Sequence, residues 1–158
     1  MSLTPEAIGT ALGRLPSGCS ILTITRGEES TGVLLSWVQQ AAFDPPSITF
    51  CLKRGRPVER LLENGARFLL NLLGDDPVDM FKHFGRGFDL HENAFAGLDV
   101  VACEFGPLLQ ACPAHLGGEV REKVAVGDHD LYIAQVVAAR LSGDFKPYVH
   151  LRRNGLSY

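Results

Sequence analysis

Ser20-Ile21-Leu22-Thr23-Ile24-Thr25-Arg26-Gly27-Glu28-Glu29 is the stretch that decides the fold. Alternating β-branched residues run into a polar turn that carries glycine, and a second apolar run begins at Ser30. Side chains branched at Cβ suit extended backbone, and two such runs around a short glycine turn read as a β-hairpin. The return strand is expected over Ser30 to Ala42, ending at Asp44-Pro45-Pro46, because proline has no N–H to give to a ladder. The next strand is expected over Ser47 to Leu52.

Upstream, Thr4-Pro5-Glu6 gives an N-cap residue, proline at the first helical position and an acid in the first turn. The expected helix carries Ile8, Leu12 and Leu15 on one face, a stripe expected to lie on the barrel. Downstream, Lys53-Arg54-Gly55-Arg56-Pro57 makes a basic turn, and Val58, Leu61 and Leu62 suggest a short helix before Asn64-Gly65. Arg67 to Leu73 reads as a buried strand, and Asp75-Asp76-Pro77 as the cap of a second short helix through Phe81 and Phe84. The glycine-containing, charged loop from Gly85 to about Asn93 is a candidate rim or lid. Strand-like runs follow at Val100 to Phe105, Ala114 to Val126, Asp130 to Leu141 and Tyr148 to Leu151. Many strands with few helical inserts favour a closed or partly closed antiparallel barrel over an alternating βαβ sheet.

With 158 residues and 46% hydrophobic residues, the chain is expected to form a single domain over 1–158. A net charge of −3 argues against nucleic acid as a partner. No apolar run approaches the ~20 residues of a membrane span. Cys19, Cys51, Cys103 and Cys112 form no C-x-x-C pair, and no signal peptide precedes them, so free thiols in a cytoplasmic protein are expected. The sequence contains no metal-ligand spacing, nucleophile elbow, P-loop or dinucleotide-binding glycine fingerprint.

A flavin mononucleotide (FMN) site needs an apolar slot for the ring, backbone donors along its polar edge and cations around its phosphate. Gly32-Val33-Leu34-Leu35-Ser36-Trp37 can lend backbone N–H groups and the Ser36 hydroxyl, or it is an ordinary core strand. Lys53, Arg54 and Arg56 can hold a phosphate, or they form a solvated loop. His129 lies between Asp128 and Asp130, where negative charge favours its imidazolium form, unless it is simply a turn residue. His83, at an expected helix end, either meets a phosphate or stabilises the helix C-terminus. Trp37 packs at a flavin ring, at a subunit contact or in the core.

From about Leu12 to Tyr158 the chain resembles the flavin reductase-like FMN-binding split barrels. The matching pieces are Gly13-Arg14-Leu15-Pro16-Ser17-Gly18 before Leu22-Thr23-Ile24-Thr25, then Ser36-Trp37-Val38-Gln39-Gln40-Ala41 leading to Asp44-Pro45-Pro46. Phe68-Leu69-Leu70-Asn71-Leu72-Leu73, Lys82-His83-Phe84 and Gly127-Asp128-His129 follow in the same order. Within the family it is most similar to the C-terminal flavin reductase module of cyanobacterial flavodiiron proteins. It is expected here as a free-standing module, without the di-iron oxygen chemistry of those fusions.

The resemblance implies a mainly β fold with short helical inserts, a six-stranded antiparallel Greek-key split β-barrel that forms a homodimer. It implies FMN near the subunit interface and NADH or NADPH docking over the flavin as electron donor. The flavin-contacting strand falls on Val33, Leu34, Leu35, Ser36, Trp37 and Val38, and the phosphate region on Lys53, Arg54 and Arg56 with His83 and Phe84. His129 is similar to a histidine near the ring or the nicotinamide, as an orienting or stabilising group, and Tyr158 to an aromatic residue near the C-terminal end. Many members carry small or hydroxyl residues where this chain has Val33-Leu34-Leu35, which leaves fewer side-chain donors. The activity implied is hydride transfer from NAD(P)H to FMN, with electrons passed to a partner or lost with the flavin as product. The rivals are an electron carrier whose nicotinamide face is covered by the loop from Gly85 to Asn93, and a flavin-free dimeric interaction domain.

Overall fold

The computed structural model describes residues 4–157. In chain order its elements are α1 (Pro5–Gly13), β1 (Ser17–Gly18), β2 (Ser20–Arg26), β3 (Glu29–Leu35), β4 (Val38–Phe43) and β5 (Pro46–Lys53). A 3-10 turn (Pro57–Arg60), β6 (Arg67–Leu72) and α2 (Val78–Gly85) follow. The last third holds β7 (Val100–Cys103), β8 (Gly106–Leu109), β9 (Ala114–Val126), β10 (His129–Leu141) and β11 (Val149–His150).

One antiparallel sheet carries the strand order β3-β2-β6-β9-β10-β5-β4. Its two edge strands are consecutive in the chain, joined only through Ser36 and Trp37, and β3 also approaches β5. One stretch of chain therefore starts at one edge of the sheet and finishes at the other, closing six strands' worth of backbone into a split barrel. The expected single strand Ser30 to Ala42 is thus two strands meeting at a corner. Pro46 is the other revision: it stands opposite Phe43 as the first residue of β5, a strand position that proline tolerates.

Two of the hairpins share one turn chemistry. Arg26 pairs with Glu29 around Gly27-Glu28, and Val126 pairs with His129 around Gly127-Asp128. Both glycines have positive φ (61° and 57°), whereas no other residue type does among the described residues. Positive φ at the first central position alone is the type II′ pattern, whose twist matches that of paired strands.

Alternate residues of six strands point inward: Leu22 and Ile24, Val33 and Leu35, Ile48, Phe50 and Leu52, Phe68 and Leu70, Val120, and Tyr132 and Ala134. Phe50 stacks on Tyr132 with ring centroids 4.9 Å apart and meets Phe68 edge-on at 5.3 Å. Val58, Leu61 and Leu62, beside the 3-10 turn, join this core. Gly117 and Gly118 let β9 pass between two aromatics. A Cβ on Gly118 would collide with the ring of Phe68, and one on Gly117 would come within 2.8 Å of Phe105. The ladder to β10 shifts register beside them, between Val136 and Ala138.

A second layer covers the outer face of β2, where Cys19, Ile21, Phe84, Phe88, Ala94, Leu109 and Cys112 pack together. This explains why β2 is buried from Ser20 to Ile24 on both faces. Asn71, fully buried, ties the layers: its Nδ2 donates to Ile21 O and Thr23 Oγ1, both at 3.0 Å, and its Oδ1 accepts from Leu109 N at 2.9 Å.

α1 begins as the sequence predicts, with the Thr4 side chain accepting from Ala7 N. Its apolar stripe does not lie on the barrel, however, since Ile8, Leu12 and Leu15 are all exposed. The face that packs is the glycine face, Gly9 and Gly13, against the C-terminal segment. α2 also departs from expectation, since its N-cap is Pro77 with no side-chain cap and Asp75 instead pairs with Lys146 at 3.7 Å. The run at Val100 to Phe105 resolves into β7 and the turn of a hairpin to β8, with Gly106 at φ 133° as the first residue of β8, opposite Cys103.

His115 sits buried on β9 with Nε2 donating to Leu109 O at 3.0 Å and Nδ1 without a hydrogen-bond partner. Burial, opposed by that hydrogen bond and aided by the Arg140 charge, holds its pKa below the ordinary 6.5. A folded-state value below the unfolded one means stability is complete above pH 6.5 and declines as pH falls below it. His115→Gln keeps an N–H donor without the titration. Thermal unfolding followed by circular dichroism should therefore show a smaller drop in Tm from pH 7 to pH 5 in H115Q than in wild type. Equal drops would refute the assignment.

Candidate functional site

Where β3 ends and the chain turns the corner at Ser36-Trp37, a cavity of about 570 Å³ opens. Three walls are close in sequence to the barrel corner: Val33 to Trp37, the end of β5 with Cys51, Leu52 and Lys53, and Arg56 from the following turn. α2 supplies Phe81, Phe84 and Gly85. Phe84 is positioned by the absence of a side chain at Gly32, where a Cβ would lie 2.6 Å from Phe84 Cε1. The remaining wall is the C-terminal segment, with His150, Leu151, Arg152, Arg153, Asn154 and Ser157.

Two features give this cavity its chemistry. β3 is an edge strand, paired with β2 on one side only, so half of its backbone N–H and C=O groups point away from any ladder. Lys53, Arg56, Arg152 and Arg153 all line it, and among the described residues no aspartate or glutamate does. None of the four takes part in an ion pair among the described residues. Burial, with the nearby Arg152 charge, holds the His150 pKa below 6.5, so this ring adds no full charge at neutral pH.

Trp37 is the partition. Its ring faces His129 at 4.8 Å on one contact and carries the Arg152 guanidinium 4.8 Å from its centroid on another. A second cavity of about 560 Å³ lies beside it, sharing Ser36, Trp37, Cys51 and Arg152 and lined by Leu12 of α1 and Leu15 just after it.

Of the residues singled out from sequence, Val33, Leu34, Leu35, Ser36, Trp37, Lys53, Arg56 and Phe84 line the first cavity, and Val38 lines the second. Arg54 is turned away, its Nε donating to Asp130 Oδ1 at 2.8 Å. His83 Nε2 donates to the Ala94 carbonyl at 2.8 Å and so pins the loop that follows α2. His129 does not line the cavity but packs on Trp37, which does, and its Nδ1 lies 2.8 Å from Asp128 Oδ1, a contact that holds the Asp128 carboxyl below its usual pKa. Tyr158 lies outside the described residues. The expected rim at Gly85 to Asn93 contributes Gly85 alone, because Phe88 is buried against Phe84 and Arg86 pairs with Glu92 at 3.2 Å.

Phe81 and the Arg152–Asn154 run were not anticipated. The adjacent arginines near the end of the chain were the available signal, but only folding brings them to β3. The cysteines are all free, and burial pushes the Cys19 and Cys112 thiols up to about 12, far from reactive thiolates. No helix among the described residues is long and apolar enough to cross a membrane.

Comparison with known proteins fits this geometry. The chain is 34% identical over 151 residues to diflavin flavoprotein A 1 of Synechocystis sp., matching 94% of this chain and 26% of that protein. It spans about a quarter of the length of the curated relatives it matches, 28% and 26% for two of them. Among solved structures, an NADH:FAD oxidoreductase of Streptomyces globisporus superposes with a TM-score of 0.82 at 20% identity, covering 90% of this chain and 85% of that one. The styrene monooxygenase flavin reductase of Pseudomonas putida gives 0.75 at 26% identity, covering 90% of each chain. The model of the flavin reductase like domain matches residues 12–155, and with the split barrel and the cavity at its corner this places the chain in the flavin reductase-like domain family.

Proposed function

We propose that this chain binds FMN in the cationic cavity, reduces it with NADH or NADPH and passes the electrons to an acceptor. The observation that carries the reading is the combination of an unpaired strand edge, an apolar slot and four cations in one cavity that no aspartate or glutamate among the described residues lines. Its size falls in the roughly 300–1,000 Å³ range of small-molecule sites. Flavin, when bound, accepts a hydride from a reduced nicotinamide and gives the electrons on to a second molecule.

The chain's own contribution is binding and electrostatics. The β3 edge from Val33 to Leu35 and Ser36 after it offer backbone donors, which do not depend on the bulk of Val33-Leu34-Leu35. Lys53 and Arg56 supply charge-assisted hydrogen bonds to a phosphate. Leu34, Trp37 and Phe84 exclude water from the slot, which strengthens those interactions. His129, packed on Trp37, is a positioning residue for that ring.

A homodimer accords with the exposed apolar side chains Leu12, Leu15, Phe43 and Val149 around the second cavity and its sheet edge. Four free cysteines accord with a cytoplasmic setting. The loop from Gly85 to Asn93 is packed against α2, so it lends no support to the electron-carrier reading.

The test is an anaerobic visible spectrum with one equivalent of FMN, before and after NADH and then NADPH. Loss of the oxidised band within seconds is the expected result, and it names the preferred nucleotide. A bound flavin unmoved by either nucleotide would leave only a carrier, and absence of binding would end the flavoprotein reading.

A further inference from the structure

Lys53 and Arg56 already match the charge of one phosphate monoester, about −1.5 to −2 at neutral pH. Arg152 and Arg153 bring two further cations into the same cavity, from a different segment, and no aspartate or glutamate among the described residues lines it to offset them. Like charges gathered against apolar walls repel one another, and an anion relieves that cost. From this excess we infer that Arg152 and Arg153 form a second phosphate subsite that takes a nucleoside diphosphate, the ADP moiety common to FAD and to nicotinamide dinucleotides. The inference deepens the flavin-site reading and rests on it for its role in the reaction.

The segment that carries the two arginines is held rather than loosely draped. Arg152 N donates to Gly13 O at 3.0 Å and Gly155 N to Gly9 O at 2.7 Å. Gly9 and Gly13 have no side chain to keep it away: a Cβ on Gly13 would lie 2.5 Å from the Arg152 carbonyl oxygen. On the other side the Arg152 guanidinium rests on Trp37, a contact that orients the planar fork for bidentate recognition of a phosphate. α1, which contributes nothing to the barrel core, is therefore the clasp that positions this subsite.

ADP itself is the probe. Calorimetric titration of the flavin-free protein should show ADP binding that R152Q/R153Q weakens about tenfold or more, the loss of at least one charge-assisted hydrogen bond. K53Q should weaken ADP less than R152Q/R153Q does, and FMN more. Gly13→Ala favours the helix itself but displaces the clasped segment, and it should lower ADP affinity with both charges intact, in protein shown by circular dichroism to be folded. Two further arms identify the source of the ADP moiety. A larger rise in Kd for FAD than for FMN in R152Q/R153Q assigns the subsite to the flavin, and a rise of about tenfold in KM for NADH or NADPH assigns it to the nicotinamide cofactor.

Wild-type protein that binds FMN yet shows the same ADP affinity as R152Q/R153Q overturns the subsite and leaves the flavin reading standing. Binding of ADP through the arginines with no binding of any flavin does the reverse. Unchanged ADP affinity in folded G13A overturns the clasp.

Discussion

Flavin affinity should fall about 100-fold when Lys53 and Arg56 are both replaced by glutamine, with the visible spectrum of whatever flavin remains bound unchanged. Each side chain lines the cavity, and neither is engaged in an ion pair among the described residues. Each is therefore available for a ligand phosphate, and one charge-assisted hydrogen bond is worth about 1.5–3 kcal/mol, or roughly tenfold and upward in Kd. The apolar slot and the β3 edge are untouched, so the ring's surroundings, and hence its absorption, should persist. Titration of FMN against the double variant by fluorescence quenching checks this. A Kd within about threefold of wild type would mean the phosphate sits elsewhere. Arg54→Gln is the contrasting variant: its guanidinium is committed to Asp130, so it should change flavin affinity little.

The largest loss of stability from a single change is expected at Asn71. Replacement by leucine removes three hydrogen bonds and leaves the Ile21 carbonyl and the Leu109 N–H buried without their partner. Thr23 Oγ1 keeps its bond to Pro107 O at 2.6 Å. Each stranded group costs about 1–3 kcal/mol, so ~3 kcal/mol in total is expected, which for a domain of this size is about 6–12 °C in Tm. Denaturant unfolding monitored by Trp37 fluorescence and circular dichroism checks the size. Because Asn71 joins β2, β6 and β8, the loss should loosen the second layer while the barrel interior keeps its packing. A cost below 1 kcal/mol would mean that water or a relaxed backbone replaces these bonds.

How much of this was legible beforehand depended on the range of the interaction. The hairpin around Gly27-Glu28 and the N-cap at Thr4 were readable because each rests on residues within one turn. β9 was placed at Ala114–Val126 because its composition is strand-like along its whole length. Half of the cavity was readable too, since Val33 to Trp37, Lys53 and Arg56 belong to neighbouring strands and the turn after them.

The failures share one physical origin. The Ile8, Leu12 and Leu15 stripe looked like a core face, but periodicity reports amphipathicity and not which surface it meets. The glycine face was the one that found a partner. The corner at Ser36-Trp37 is hidden in a continuous apolar run, because nothing local distinguishes one long strand from two that pair with opposite edges of a sheet. Asp75 resembled a cap and is instead paired with Lys146, a residue far along the chain.

The sequence by itself determined the mainly antiparallel β character, the turns, the strand that borders the site and one pair of its cations, since these follow from backbone preference and short spacing. Tertiary structure alone decided that the barrel closes through a corner, that Arg54 and His83 are spent on structural contacts, and that Arg152 and Arg153 line the same cavity as the β3 edge. Those outcomes depend on loop closure and on which distant surfaces become complementary when the chain is compact, and no local pattern encodes that.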